Sequence, residues 1–278
     1  NFIAARYAGM SGQPAAAASF YREGFDREPD DPVVLERAVF STMIAGQIPE
    51  AISVSMGADP QVSASSPTAQ LALVLDDIVS NRTRRALVRL KTGNLGAINA
   101  DLAGFLTAWL TATEDSDAGL AALNDLPARR QLAGEQACMK GLILLSAGRD
   151  DEALAAFEQA ARLPLGAADF LMSLRARVLA ANGDKAGARK LIEMQIEETG
   201  ATSETDYVLR LIDGDAPVER PRIGARQGAA IAIYLSSADG IARSSPELST
   251  MRQSLALYLD PALAPARLLL ADALNEQG

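Results

Sequence analysis

Apolar residues recur along this chain at the helical spacing of three or four, in segments that glycine, asparagine and proline interrupt at regular intervals. Nowhere in the sequence do four alternating apolar residues stand between turn residues, so no strand is predicted. The segments predict a single helix near 263–277. They also predict helix pairs near 1–27, 32–58, 67–92, 97–125, 130–163, 167–198 and 225–259.

The predicted pairs share one spacing. Gly148 and Gly183 are 35 residues apart, Gly12 and Gly46 are 34 apart, and each glycine precedes an alanine by five positions. A glycine can end a helix in the left-handed conformation, and a small alanine lets two helix axes cross closely. Asn81 and Thr113 take the place of glycine in the middle of the chain. The predicted crossing residues are Ala17, Ala51, Ala86, Ala118, Ala153 and Ala188.

These residues also follow the order of a known repeat motif. One unit contains Gly141, Leu144, Gly148, Ala153, Phe157 and Ala160. The sequence therefore resembles tetratricopeptide repeat (TPR) proteins over roughly 1–198, and again over 225–278. The resemblance implies an all-α, right-handed α–α superhelix and a multi-repeat protein of bacterial type. Because Gly278 stands where a turn glycine precedes another helix, we expect the chain to be an N-terminal fragment of a longer protein.

The repeat pattern divides the chain into three parts. About six TPR-like pairs are predicted in 1–198, and a further pair with a lone terminal helix in 225–278. Between them, 199–224 is expected to hold a short helix and a linker. Two prolines and two glycines within twelve residues predict that 213–224 has no regular structure.

Composition removes several classes of function. The chain has no histidine and only one cysteine, Cys138, which excludes an internal disulfide and every histidine-based catalytic or metal site. A net charge of −9 disfavours nucleic acid as a partner. No nucleotide-binding motif and no apolar run of membrane-spanning length occurs, so we expect a soluble protein with no cofactor. Both a periplasmic and a cytoplasmic location are compatible with the sequence.

Charged residues in the third unit are the main candidates for chemistry. Asp76 and Asp77 are neighbours on a predicted helix, so their side chains point about 100° apart and do not form a close carboxylate pair. We expect both to be solvated; a ligand-facing charge or a buried pair with Arg82 or Arg84 are the alternatives. The basic cluster that follows is expected to form a solvated outer face, or else to hold an acidic partner. Its members are Arg82, Arg84, Arg85, Arg89 and Lys91.

The first helix of each pair lines the concave wall of a solenoid, and the repeat phase predicts which residues face inward. They are Arg6, Met10, Glu36, Phe40, Met43, Leu71, Leu75, Ile78, Thr107, Leu110, Leu142, Leu145, Phe170, Ser173 and Arg177. This set is mostly apolar, which suits an amphipathic helix or an extended hydrophobic segment. Internal packing of the same residues is the alternative.

The predicted function is a non-catalytic scaffold that binds a protein or peptide segment in this groove. Two alternatives stay open. The chain could be a self-association or regulatory module whose groove holds its own C-terminal part, and it could form a homo-oligomer. It could also be a helical-repeat enzyme that uses carboxylates such as Asp76 and Asp77.

Overall fold

The computed structural model describes residues 2–237 and 246–277, and every regular element within them is a helix. The first thirteen helices run α1 (Phe2–Met10), α2 (Pro14–Arg27), α3 (Pro32–Ile44), α4 (Ile48–Gly57), α5 (Pro60–Ser65), α6 (Pro67–Val79), α7 (Thr83–Thr92), α8 (Ala100–Ala112), α9 (Ser116–Asn124), α10 (Ala133–Ser146), α11 (Asp150–Ala161), α12 (Ala168–Ala181) and α13 (Lys185–Thr199). Four more follow, α14 (Ser203–Asp213), α15 (Ala225–Ser237), α16 (Pro246–Leu259) and α17 (Ala264–Gln277).

Six successive helix pairs form as the repeat spacing predicts: α1 with α2, α3 with α4, α6 with α7, α8 with α9, α10 with α11, and α12 with α13. Their turns use the left-handed backbone at Gly12, Gly46, Gly148 and Gly183, where φ is 68°, 73°, 80° and 93°. Asn81 adopts the same conformation with φ 55°. In the second turn, the amide of Gln47 donates to the carbonyl of Thr42 at 3.0 Å, which is the bond that closes a Schellman motif.

The small crossing residues are confirmed in five of the six pairs. Four of these alanines are fully buried and Ala17 is 4% exposed. The fourth pair differs, because Ala118 is only half-buried and its neighbour Gly119 takes the crossing position. A Cβ at Gly119 would overlap the side chain of Ala112 and lie 2.7 Å from its Cα. The phase predicted for this unit is therefore wrong by one residue.

The end of the second pair also differs from the prediction. Because proline often follows the end of a helix, the sequence predicts that Pro60 closes α4, but α4 ends at Gly57 and Pro60 opens the short helix α5. Asp59 caps α5 by accepting the amide hydrogen of Gln61 at 2.8 Å. A proline at the first position of a helix loses no intrahelical hydrogen bond, so the residue fits this place equally well.

The last helices return to the body of the repeats. Helix α15 packs against α6, α8 and α10, and α16 packs against α3, α4 and α6. We call α15 and α16 the C-terminal helix pair. Most buried apolar residues between Ala5 and Ala266 form one cluster that includes this pair, so the pair shares its core with preceding units; a smaller cluster lies on α12, α13 and α14.

Candidate functional site

The middle of the predicted concave wall is filled by the chain itself. Seven apolar residues of the predicted groove are buried, with exposed fractions of 0–4%: Met43, Leu71, Leu75, Ile78, Leu110, Leu142 and Leu145. They lie on the helices that contact the C-terminal helix pair. The apolar pattern of these positions therefore reflects internal packing, which was the alternative to an open groove.

Two hydrogen bonds join the C-terminal helix pair to the repeats. The indole nitrogen of Trp109 donates to the carbonyl of Ala225 at 2.8 Å, and the backbone of Gly228 lies directly on the indole ring. From α16, the buried guanidinium of Arg252 donates from Nη2 to the carbonyl of Ile98 at 2.9 Å. Both bonds satisfy buried polar groups, so they hold the pair in one register.

The loop that leads into α15 is tied down by Arg220. Its Nε donates to the two carboxylate oxygens of Asp150 at 2.8 and 2.9 Å, and Nη2 donates to the carbonyl of Leu145. A guanidinium that binds a carboxylate through several hydrogen bonds fixes the relative orientation of the two groups. The loop at 214–224 has no regular structure, as predicted, yet it is fixed against α10 and α11.

Two other predicted groove residues, Glu36 and Thr107, line neither of the two cavities described below. The Glu36 carboxylate accepts the hydroxyl of Ser66 at 2.6 Å and the amide of Thr68 at 3.0 Å. Glu36 therefore joins α3 to the start of α6. Thr107 is half-buried on α8.

The N-terminal end of the wall is open. A cavity of 410 Å³, which we call the N-terminal opening, is lined by Arg6, Met10 and Phe40, and by Glu247 of α16. Met10 is 81% exposed. Two other large apolar side chains of α1 are similarly exposed, Ile3 at 84% and Tyr7 at 72%.

The other end of the wall is open as well. The predicted groove residues Phe170, Ser173 and Arg177, all on α12, line a cavity of 340 Å³, which we call the C-terminal cavity. The Phe170 ring meets the ring of Tyr234 edge-on, with centroids 5.8 Å apart. Helix α15 of the C-terminal helix pair reaches this cavity through Gln227 and Ile231, and α12 forms another of its walls.

Three arginines of the third unit form an ion-pair cluster around the buried carboxylate of Asp77. The expectation that Asp76 and Asp77 are solvated is wrong for Asp77, whose side chain is fully buried. Its carboxylate accepts hydrogen bonds from Arg82 at 2.9 Å, Arg89 at 2.9 Å and Arg85. The bond to Asp77, with smaller contributions from Asp76, raises the pKa of Arg82. Arg82, Arg85 and Arg89 are 28–51% exposed, and their ion pairs compensate the Asp77 carboxylate, whose burial without a partner would be very costly.

The remaining sequence candidates give no reactive group. Cys138 is fully buried, and burial raises the pKa of its thiol to about 12. Among the described residues, no group of three or more cysteine, aspartate or glutamate side chains could hold a metal ion. In the same part of the chain, no helix has both the length and the apolar character that crossing a membrane requires.

A solved structure has the same fold. The crystal structure of a tetratricopeptide repeat protein from Parabacteroides merdae ATCC 43184 aligns with a TM-score of 0.56, covering 98% of this chain and 96% of that chain. The two sequences are 12% identical over this alignment, so the likeness concerns the fold alone. The predicted all-α superhelix of helix pairs is confirmed. No family model and no curated protein matches the sequence.

Proposed function

We propose that the chain is a non-catalytic helical-repeat scaffold that binds a segment of a partner protein at the N-terminal opening. The observation that carries this proposal is the exposed apolar stripe on α1, formed by Ile3, Tyr7 and Met10. Their spacing of i, i+4 and i+7 places them on one face of the helix. Single exposed apolar residues are ordinary, but three on one face beside a cavity are typical of an interaction site.

The chemistry of the opening indicates the kind of partner. Phe40 and Ile44 contribute apolar surface to the cavity, while Arg6, Arg37 and Glu247 stand among them. An apolar centre with charged groups beside it suits an amphipathic helix or an extended apolar segment flanked by polar residues.

We propose a non-catalytic protein because the carboxylates that could act in catalysis are engaged elsewhere. The neighbouring acids named above as catalytic candidates, Asp76 and Asp77, are both paired with arginines. A carboxylate that is fully engaged in ion pairs inside the fold is not available as a general acid or base.

The test is affinity capture of a partner by the intact protein and by two methionine variants. Met10→Glu places a charge in the apolar stripe, and we expect it to abolish capture of a specific partner. Met56→Glu is the matched control, because Met56 is 62% exposed on α4 and does not line the opening. A partner that binds Met10→Glu as well as the natural chain would contradict the proposal. Substitutions in the filled middle of the wall cannot test the proposal. Leu142, for example, is fully buried, and Leu142→Glu would unfold the chain.

The alternative is that the exposed stripe of α1 binds a second copy of the same chain. Sedimentation of the natural chain and of Met10→Glu separates the two cases. A dimer that Met10→Glu dissociates, with no other partner captured, would replace the scaffold proposal by self-association.

A further inference from the structure

The C-terminal cavity lies at the opposite end of the wall from the proposed partner site. It is enclosed by α12, by the loop residues Pro221 and Ile223, by α15, and by the start of α17. Leu174, Ile231 and Leu263 form an apolar wall and are 5–6% exposed. The cavity is therefore built from segments far apart in sequence, which the fold brings together around one space.

Three buried polar atoms in this lining have no hydrogen-bond partner among the described residues: Ser173 Oγ, Arg177 Nε and Gln195 Oε1. Ser173 and Gln195 are each only 3% exposed. Several other buried helical serines bond to their own backbone, as Ser55 does to the carbonyl of Ala51 at 2.7 Å, although Ser63 Oγ does not. Since buried polar groups are nearly always satisfied, three unsatisfied atoms around one cavity indicate a ligand that bonds to them.

The hydrogen-bonding capacity of these atoms defines one end of that ligand. Arg177 Nε and the hydroxyl of Ser173 both donate, and the guanidinium carries a positive charge. A carboxylate is the group that best accepts from both. Gln195 Oε1 accepts, so the ligand also has an N–H donor beside its carboxylate.

The other charges in the lining define the opposite end. Asp169 and Glu204 line the same cavity as Arg177 and Arg222, yet none of these four side chains forms an ion pair within the described residues. Charges of both signs that share a cavity without pairing suit a ligand that carries both signs itself. The volume of 340 Å³ lies at the lower end of the range for small-molecule sites.

From these features we propose that the C-terminal cavity binds an apolar zwitterion, either a free amino acid such as leucine or a short apolar peptide. Its carboxylate bonds to Arg177 and Ser173, its amino group lies towards Asp169 and Glu204, and its side chain packs on the apolar wall. The two sources share this chemistry and differ only in length.

Calorimetric titration of the full chain tests the proposal with L-leucine and L-leucyl-L-leucine as probes. We expect at least one of them to bind, and the tighter of the two identifies the source. L-leucinamide lacks the carboxylate and N-acetyl-L-leucine lacks the charged amino group. Each is expected to bind about tenfold more weakly or worse, the loss that follows removal of a charge-assisted hydrogen bond. Failure of both probes at millimolar concentration, or leucinamide binding as tightly as leucine, would overturn the proposal.

Variants locate the binding in the cavity. Arg177→Gln should weaken leucine binding about tenfold or more while leaving leucinamide unaffected, and Ser173→Ala should weaken leucine less. Arg130→Gln is the matched control, because Arg130 is exposed and does not line the cavity. If Arg177→Gln does not fold, as judged by circular dichroism, Ser173→Ala and the leucinamide comparison decide. Unchanged leucine affinity in the folded variants would place the ligand elsewhere.

This proposal and the scaffold proposal fail separately. Capture of a partner depends on Met10 at the N-terminal opening, and leucine binding depends on Arg177 at the far end of the wall. Each variant can be run in both assays as the other's control.

Discussion

The indole nitrogen of Trp109 and the carbonyl oxygen of Ala225 are 2.8 Å apart, although 116 residues separate them in the sequence. This bond lies where α15 enters the concave side of the repeats. Trp109 is 1% exposed, and the Gly228 backbone, one turn further along α15, lies against the same ring. The one tryptophan of the chain therefore joins the repeats to the C-terminal helix pair.

The close approach at Gly228 leads to the first prediction. A Cβ at this position would overlap Cε2 and Cζ2 of Trp109, so Gly228→Ala should destabilise the fold by about 1–3 kcal/mol through overpacking. Urea unfolding followed by tryptophan emission measures the loss. Gly57→Ala is the control, because nothing lies within 4 Å of its Cβ, and it should leave stability unchanged or raise it. Equal stability of Gly228→Ala and the natural chain would show that α15 does not sit on the indole ring.

The ion-pair cluster around Asp77 gives the second prediction. Asp77→Asn removes the charge that Arg82, Arg85 and Arg89 share, and breaking a buried pair typically costs about 3–5 kcal/mol. The arginines are partly exposed and can be rehydrated, so we expect a loss near the lower end of that range. Asp76→Asn should cost about 1 kcal/mol or less, because that side chain is 21% exposed. Denaturant unfolding of both variants provides the comparison, and equal losses would contradict the buried role of Asp77.

The thiol of Cys138 gives a prediction about pH. Burial, and to a smaller extent the carboxylate of Glu135, raises its pKa from 9.0 to about 12. The unfolded thiol loses its proton near its ordinary pKa while the folded thiol keeps it, so the unfolded state binds fewer protons in this interval. The contribution of Cys138 to stability is thus complete below pH 9.0 and declines towards pH 12, by about 1.4 kcal/mol per pH unit.

Two measurements check this behaviour. The stability difference between the natural chain and Cys138→Ala should shrink as the pH rises above 9.0. The native thiol should also react far more slowly with a thiol reagent than the thiol of the denatured chain, since the thiolate is the reactive form. A stability difference that is constant with pH, together with rapid labelling of the native chain, would contradict burial of this side chain.

Much of the fold could be predicted because the signals lie within single repeats. A turn glycine and a crossing alanine five residues later are local features, and Gly148 with Ala153 shows both. The fourth unit was assigned one residue early because its turn has no glycine, and Gly119 reveals its crossing role only in contact with Ala112. Pro60 is ambiguous from sequence for a related reason, since proline both follows and begins helices.

The site was harder to predict, because the return of α15 and α16 is a long-range contact that no spacing encodes. The apolar residues Leu71 and Leu142 have the same pattern whether a partner or the chain itself covers them. Some signals were present: Gly228 opens a run of small residues in α15, and a chain segment rich in small residues can approach another element closely. The polar positions Ser173 and Arg177 were placed on the wall by phase alone, while the loop that completes their cavity was predicted only as a linker.

The loop residue Arg220 permits a test of whether the C-terminal helix pair opens as a unit. Its guanidinium binds Asp150 through both Nε and Nη2 and also reaches the carbonyl of Leu145, so it fixes the chain just before α15. Arg220→Lys keeps the charge but cannot reproduce this geometry, and we expect it to cost about 1–3 kcal/mol.

If the loop is the tether of the pair, the loss appears mainly as local opening, with faster hydrogen exchange in 225–237 than in the natural chain. Exchange in α13, which is not among the helices packed against the pair, should stay unchanged. Arg210→Lys on the exposed face of α14 is the matched control. If exchange becomes faster to the same extent in α15 and in α13, the pair unfolds only together with the whole molecule. The apolar core that the pair shares with the repeats would then hold it more strongly than Arg220 does.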